Sequence, residues 1–151
     1  MRLQSAVFSL EDTVLDPAAL PECRARQGLD KVLSILKMEG VWLYAVTTMS
    51  RAQARAALQE AGLDAVFRGV LTEAEACCAA DSGTMFEKAA RRLHSGKKDT
   101  VIFTGRLTAV ENARAAGFRA VAVRGVAPGC EWQAMRAAAT EALESYEEYL
   151  G

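Results

Sequence analysis

Leu3-Gln4-Ser5-Ala6-Val7-Phe8-Ser9-Leu10-Glu11-Asp12-Thr13-Val14-Leu15-Asp16 is the stretch on which the reading of this chain turns. Ala6-Val7-Phe8 has the length and the side chains of a buried strand, and the polar residues Ser9, Glu11, Asp12 and Thr13 all follow at its carboxyl end. Open α/β sheets gather ligands just beyond the carboxyl ends of their strands. Any chemistry is therefore expected at this point.

Working outward, the composition sets the bounds. With 151 residues, 51% of them hydrophobic and 25% charged, the chain reads as a single domain over 1–151, able to bury roughly two thirds of its unfolded surface. A net charge of −1 leaves no global electrostatic footprint for nucleic acid or for an anionic membrane. Neither a signal-peptide pattern nor an apolar run long enough to cross a bilayer is visible, so the expected location is cytoplasmic. Cys23, Cys77, Cys78 and Cys130 form no C-x-x-C pair and His94 is the single histidine. That is too poor a ligand set for zinc, and the cysteines read as buried or free thiols.

Helices and strands alternate along the rest of the chain. Asp16 to Gln27, with Pro17 and Pro21, reads as a loop. Leu29, Val32, Leu33 and Leu36 share one helical face, with Gly40 as the stop. Val41 to Val46 is a strand ending in Thr47-Thr48. Ser50 and Gln53 form a capping box for a helix with an Ala54, Ala57, Leu58, Ala61 face, closed by Gly62. Val66 to Leu71 is a third strand, and Thr72 to Ser82 an acidic connection. A helix from Thr84 to Leu93 is expected, with Glu87 capping back to Thr84. Thr100 to Phe103 is a fourth strand, Thr108 with Glu111 opens a capped helix that Gly117 ends, and Ala120 to Val123 is a fifth strand. A final helix from Glu131 to Tyr149 is expected to dock Met135, Ala138, Ala142, Tyr146 and Tyr149 on the sheet. This order predicts a three-layer α/β sandwich around a five-stranded parallel sheet, its first strand central.

The opening stretch resembles the first signature of the haloacid dehalogenase superfamily, a hydrophobic strand followed by D-x-D-G-T-L-x-D, here Ser9-Leu10-Glu11-Asp12-Thr13-Val14-Leu15-Asp16. The likeness is greatest to the β-phosphoglucomutase-like branch and extends over nearly the whole chain. GLDKVLSILKMEGVWLYAVTT resembles the second signature, with Thr47 on the phosphate-binding threonine. Phe86-Glu87-Lys88-Ala89 through Leu93 resembles F-x-x-A-x-x-x-L, and Ile102-Phe103 followed by Ala115-Ala116-Gly117 resembles the last strand and helix signature. The resemblance implies a Rossmann-like strand order. Only Asp16 to Gln27 stands at the cap insertion point, so it implies a capless member with a vestigial loop at 16–27.

In active members of that superfamily the first aspartate attacks a phosphoryl group, the second works as acid and base, and magnesium is held by carboxylates. Ser9 stands at the nucleophile position and Glu11, one methylene longer, at the acid/base position. Thr104-Gly105-Arg106 replaces the E-D-S that follows the fourth strand, and the phosphate-clamping lysine position falls on Ala80. Four degenerate positions, Ser9, Glu11, Ala80 and Gly105, leave no complete route to metal-assisted phosphoryl transfer. The expectation is a protein without a metal site or cofactor that serves as a binding or regulatory module, taking a small anion or a protein partner and no nucleic acid or membrane.

Ser9, Glu11, Thr47, Thr48 and Arg106 are the candidate ligand-binding residues. Arg106 stands where the family's carboxylates stand, and its guanidinium either fills the cation position and pairs with Glu11 or reaches solvent as such charges commonly do. The competing expectation is an active phosphoric monoester hydrolase, magnesium-dependent, using Glu11 with water or groups from a partner subunit. A receiver domain lacks its phosphoacceptor aspartate at a strand end, and a dinucleotide-binding domain lacks G-x-G-x-x-G. His94 reads as an exposed helix-end residue, and Cys77-Cys78 as packing rather than redox chemistry.

Overall fold

The computed structural model describes residues 3–19, 21–125 and 131–149; Cys130 lies outside them. Strand β1 (Ser5–Ser9) is buried along its whole length. A tight turn over Leu10–Val14 follows it. Next come α1 (Leu29–Met38), β2 (Trp42–Thr47), α2 (Arg51–Glu60), β3 (Gly69–Thr72), α3 (Glu73–Ala76) and α4 (Gly83–Arg92). The chain continues through β4 (Thr100–Thr104), α5 (Leu107–Ala115), β5 (Arg119–Val123), α6 (Trp132–Ala138) and β6 (Glu141–Leu143). All pairings are parallel and the strand order is β3-β2-β1-β4-β5-β6. The central place expected for β1 is the one it occupies.

Alternation along the strands builds the layers, because successive side chains point to opposite faces of a sheet. Phe8, Leu43, Ala45 and Phe103 face one side and pack with α1, α2 and the C-terminal Tyr146 and Tyr149. Val7, Tyr44, Val46 and Ile102 face the other and pack with α4, α5 and α6. Phe8 and Phe103 stack with ring centroids 4.5 Å apart across the β1–β4 seam. This arrangement points the carboxyl ends of β1, β2 and β4 to one edge of the molecule.

The sheet has six strands rather than five, and the long C-terminal helix is not formed. Helix α6 stops at Ala138 because Ala139 turns extended (φ −80°, ψ 157°). Thr140 then docks on β5, its N–H donating to the Ala120 carbonyl at 2.9 Å and its hydroxyl accepting from the Ala120 N–H at 3.1 Å. Pairing the β5 edge satisfies backbone groups that a continued helix would leave uncovered. One helix could not have buried the residues concerned: Met135 packs on one face of the sheet, Tyr146 and Tyr149 on the other.

Smaller differences have local causes. β3 begins at Gly69 rather than Val66, since 64–68 form a turn that brings only the Arg68 N–H onto the Leu43 carbonyl. The acidic connection after it contains α3, capped reciprocally by Thr72 and Glu75. Helix α4 is capped by Ser82, whose hydroxyl accepts from the Met85 N–H at 3.1 Å, while Glu87 pairs with Lys97 at 2.8 Å instead of capping. Helix α5 starts at Leu107 behind Arg106, with no side-chain cap. The Ser50–Gln53 capping box forms as predicted, and Gly40 (φ 78°) and Gly62 (φ 76°) end their helices. His94 is exposed just past α4.

Arg51 at the start of α2 forks onto Glu75 of α3, Nε to Oε2 at 2.6 Å and Nη2 to Oε1 at 2.8 Å. The Arg51 hydrogen bonds hold the Glu75 carboxyl down at about 2. A carboxylate lowered on folding stabilises the fold above its unfolded value, and that contribution fades as pH falls from about 4.5 toward 2. Glu75→Gln is therefore expected to cost about 0.5–1 kcal/mol at neutral pH, the range of a half-exposed pair, and nothing at pH 2. Urea denaturation at both pH values reads the difference.

Candidate functional site

The site is assembled from the ends of adjacent strands. β1 delivers Ser9, β2 delivers Thr47, and β4 delivers Thr104, with Phe8 in register with Ala45 on one side and Phe103 on the other. Beyond Ser9 the backbone stays extended at Glu11 and turns left-handed at Asp12 (φ 62°), and the Leu15 N–H closes the turn on the Leu10 carbonyl at 3.0 Å. Leu10 and Val14 are buried. The turn is thus pinned by two apolar anchors, and Glu11 is projected between them.

The Glu11 carboxylate is met from β2. Thr47 donates its hydroxyl to Oε2 in a short hydrogen bond, and the Thr48 N–H donates to Oε1 at 3.3 Å. The Thr47 hydroxyl in turn accepts from the Met49 N–H at 3.0 Å. Ser9, nearly buried, donates to the Thr104 hydroxyl at 3.4 Å, and among the described residues it makes no hydrogen bond to an acid or base side chain. Arg106 does not pair with Glu11, one of the two outcomes the sequence left open. Its Nε lies 4.0 Å from Asp12 Oδ2, and half of its side chain is exposed. Glu11 is turned toward Thr47 and Thr48 at the end of β2, and the carboxylate nearest to Arg106 is the one on the turn itself.

Ser9, Glu11, Thr48, Ala80 and Arg106 line one cavity of about 120 Å³, together with Glu73 and Asp81. Thr47 stands behind Glu11 and Gly105 behind the turn, neither on the cavity wall. Glu73 and Asp81 carried no sequence signal as site residues. Glu73 reaches its place by accepting the Ala80 N–H at 2.7 Å, which folds the α3–α4 connection over the strand ends. The Asp81 carbonyl is fixed by the Asn112 side-chain amide at 2.9 Å.

A second set of residues braces the turn from behind. The Gly105 N–H donates to the Thr13 hydroxyl at 2.9 Å, and the Tyr146 hydroxyl donates to the Thr13 carbonyl at 2.6 Å. Arg26 donates to the Asp12 carbonyl at 3.0 Å and to the Arg124 carbonyl at 2.7 Å while its guanidinium lies 5.5 Å from the Tyr146 ring centre. Full burial pushes the Tyr146 phenol well above its ordinary value, so it stays protonated and a donor. Arg26 comes from the 16–27 loop, whose base is closed by a Leu15–Ala25 bridge.

Where the resemblance would put magnesium carboxylates, the strand ends carry the hydroxyls of Ser9 and Thr104. A divalent ion of this kind takes carboxylates and waters in near-octahedral geometry. Among the described residues no group of three or more His, Cys, Asp or Glu side chains converges on one point. The strand ends offer hydroxyls at Ser9 and Thr104, and Glu11 is engaged on both oxygens. A side chain at Gly105 would bring its Cβ within 3.2 Å of the Val123 carbonyl oxygen and 3.5 Å of the Asp12 carbonyl oxygen. Cys23, Cys77 and Cys78 are free thiols away from this cavity wall.

Fold and site together define a three-layer parallel α/β protein with one candidate cavity at the carboxyl ends of its central strands. The chain belongs to the haloacid dehalogenase-like hydrolase family, whose profile matches residues 9–123. Its fold is shared with CbbY from Rhodobacter sphaeroides solved with phosphate, at 16% identity and a TM-score of 0.81, over 97% of this chain and 96% of that one. A Thermotoga maritima protein assigned as a beta-phosphoglucomutase superposes with a TM-score of 0.81 at 14% identity, over 97% and 96% of the two chains. The L-2-haloacid dehalogenase RSc1362 does so with a TM-score of 0.79 at 12% identity and the same coverages. No curated protein sequence matches the chain.

Tyr146→Phe removes the donor and leaves the buried Thr13 carbonyl without it. The variant is expected to lose about 1–3 kcal/mol, the cost of an unsatisfied buried acceptor, measured as a lower urea midpoint at unchanged m-value. An unchanged midpoint would mean that the C-terminal segment does not brace the turn.

Proposed function

We propose that this chain is a haloacid dehalogenase-like protein that has lost metal-dependent phosphatase chemistry and works in the cytoplasm as a binding or regulatory module. One observation carries the reading: both oxygens of the Glu11 carboxylate are hydrogen-bonded to β2, at Thr47 and Thr48, beside a serine where a nucleophilic carboxylate would be needed. A general base needs an oxygen lone pair aimed at the proton it takes. Both Glu11 oxygens are oriented by the donors at Thr47 and Thr48, so their remaining lone pairs are fixed rather than free to turn toward a water, which is the difficulty for a hydrolase built on Glu11 and water.

Of the two ligand classes, the lining favours a protein partner over a free small anion. Glu11, Glu73 and Asp81 face the same cavity as Arg106, so a phosphate dianion would enter a volume where carboxylates outnumber guanidinium, with the clamping lysine replaced by Ala80. Like charges in a partly dry cleft repel more strongly than in bulk water.

The decisive measurement is turnover of p-nitrophenyl phosphate and a panel of small phosphate esters with magnesium, for the native protein beside Ser9→Ala and Glu11→Gln. Native turnover is expected to match the no-enzyme background, and both variants to match the native protein. Magnesium-dependent turnover that either substitution abolishes would overturn the reading and restore a working hydrolase.

A further inference from the structure

Strand β3 ends the sheet on one side, and the grooves along it are basic in a chain whose overall charge is −1. One groove, of about 480 Å³, has an apolar floor that includes Trp42, Leu43, Val66 and Phe67, with Lys37 and Arg68 at its rim. The adjoining groove, of about 210 Å³, shares Phe67 and Arg68 and adds Arg51, Arg55 and Asp64. Four cations therefore face one carboxylate along the β3 edge. Arg51 is committed to Glu75, but Lys37, Arg55 and Arg68 make no ion pair among the described residues.

The apolar component is exposed as well. Trp42 is 51% exposed and Met38 88%, the two large hydrophobic residues on the described surface. The Arg68 guanidinium sits 4.3 Å from the Trp42 ring centre, held as a cation over an aromatic face. On the strand itself the Val70 carbonyl accepts from Arg51 Nη2 at 2.8 Å and Leu71 and Thr72 are buried, so it is the apolar trough and the cations along it, rather than the strand's backbone, that offer a place for an extended segment.

We propose that the β3 edge docks an acidic, extended segment of a partner protein, with apolar side chains alternating with carboxylates. The apolar side chains would enter the trough beside Trp42 and Phe67, and the carboxylates would pair with Lys37, Arg55 and Arg68. Charge complementarity selects this occupant: Lys37, Arg55 and Arg68 outnumber Asp64, the one carboxylate lining these grooves, and the apolar floor suits side chains better than a phosphate backbone. The groove beside Trp42 opens at the amino end of β2 and shares no residue with the carboxyl-end cavity. The proposal therefore stands or falls separately from the loss of phosphatase chemistry.

The test uses the full chain and a fluorescein-labelled peptide alternating glutamate with valine and leucine, read by anisotropy. The same peptide with lysine for glutamate, and an oligothymidylate of equal charge, serve as comparison probes. Binding of the glutamate peptide is expected, weakened at least tenfold by Arg68→Glu or by Lys37→Glu, and weakened again by raising salt from about 0.1 to about 0.5 M. Both substitutions are at surface positions, and thermal melting shows whether the fold is kept. Trp42→Ala is expected to weaken binding without altering its salt dependence, and amide shifts should concentrate at Gly69 to Leu71. Absence of glutamate-peptide binding, equal binding of the lysine peptide, indifference to the charge reversals, or tighter binding of the oligothymidylate would each overturn the proposal.

Discussion

Thr13 holds the functional end of this molecule together. Its hydroxyl receives the first N–H beyond β4, from Gly105, and its carbonyl receives the phenol of Tyr146 from the far end of the chain. These two bonds join the turn after β1, the end of β4 and the C-terminal segment across sequence distances of 92 and 133 residues. Each is buried, and a buried hydrogen bond is worth most in what its loss would leave unsatisfied. The position of Ser9 and Glu11 follows from this anchorage, since both lie within four residues of Thr13 on a turn with few conformational choices.

The brace also explains how the family's frame persists without the family's reactive groups. The frame places glycine where this chain has Asp12, and the backbone there is indeed left-handed, at φ 62°. Aspartate is among the few side chains that tolerate this region, at a cost smaller than that borne by β-branched residues. Leu10, Thr13 and Val14 supply the buried contacts that fix the turn. Catalytic carboxylates are costly to a fold, because charges converging on one point repel until a metal neutralises them. Hydroxyls at Ser9 and Thr104 carry no such repulsion, and the turn keeps its shape on packing and on the hydrogen bonds of Thr13, Tyr146 and Arg26.

Most of the sheet was legible because each central strand is an apolar run closed by a polar residue, and burial on both faces leaves such runs no alternative. Parallel order, the central place of β1 and the gathering of Ser9, Thr47 and Thr104 at one end all follow from that pattern. The C-terminal segment was not legible. Ala137-Ala138-Ala139 favours helix locally, and only the unpaired edge of β5, far away in sequence, makes Thr140 turn the chain into β6. The partner of Glu11 was hidden for the same reason: nothing local to residue 11 indicates that Thr47 and the Thr48 N–H will meet it. The pairing of Arg106 with Glu11 does not form because the left-handed turn at Asp12 sets Glu11 toward Thr47 and Thr48 and leaves Asp12 nearest to the guanidinium, an arrangement no residue near 106 announces.

Electrostatics separates the two ends of the sheet. At the carboxyl end, Glu11, Asp12, Glu73 and Asp81 surround a single half-exposed arginine. In the two grooves beside β3 and the amino end of β2, Lys37, Arg51, Arg55 and Arg68 stand against Asp64 as the one lining carboxylate. A near-neutral total conceals this polarity, so net charge alone argues against charged partners where the surface argues for them. The field of such a molecule orients an approaching charged partner before contact, over distances of about a Debye length, ~8 Å in physiological salt. An acidic segment is drawn to the β3 edge and turned away from the carboxyl-end cavity. The carboxyl-end cavity and the proposed docking surface therefore lie apart on the same sheet, and a partner held at the one need not enter the other.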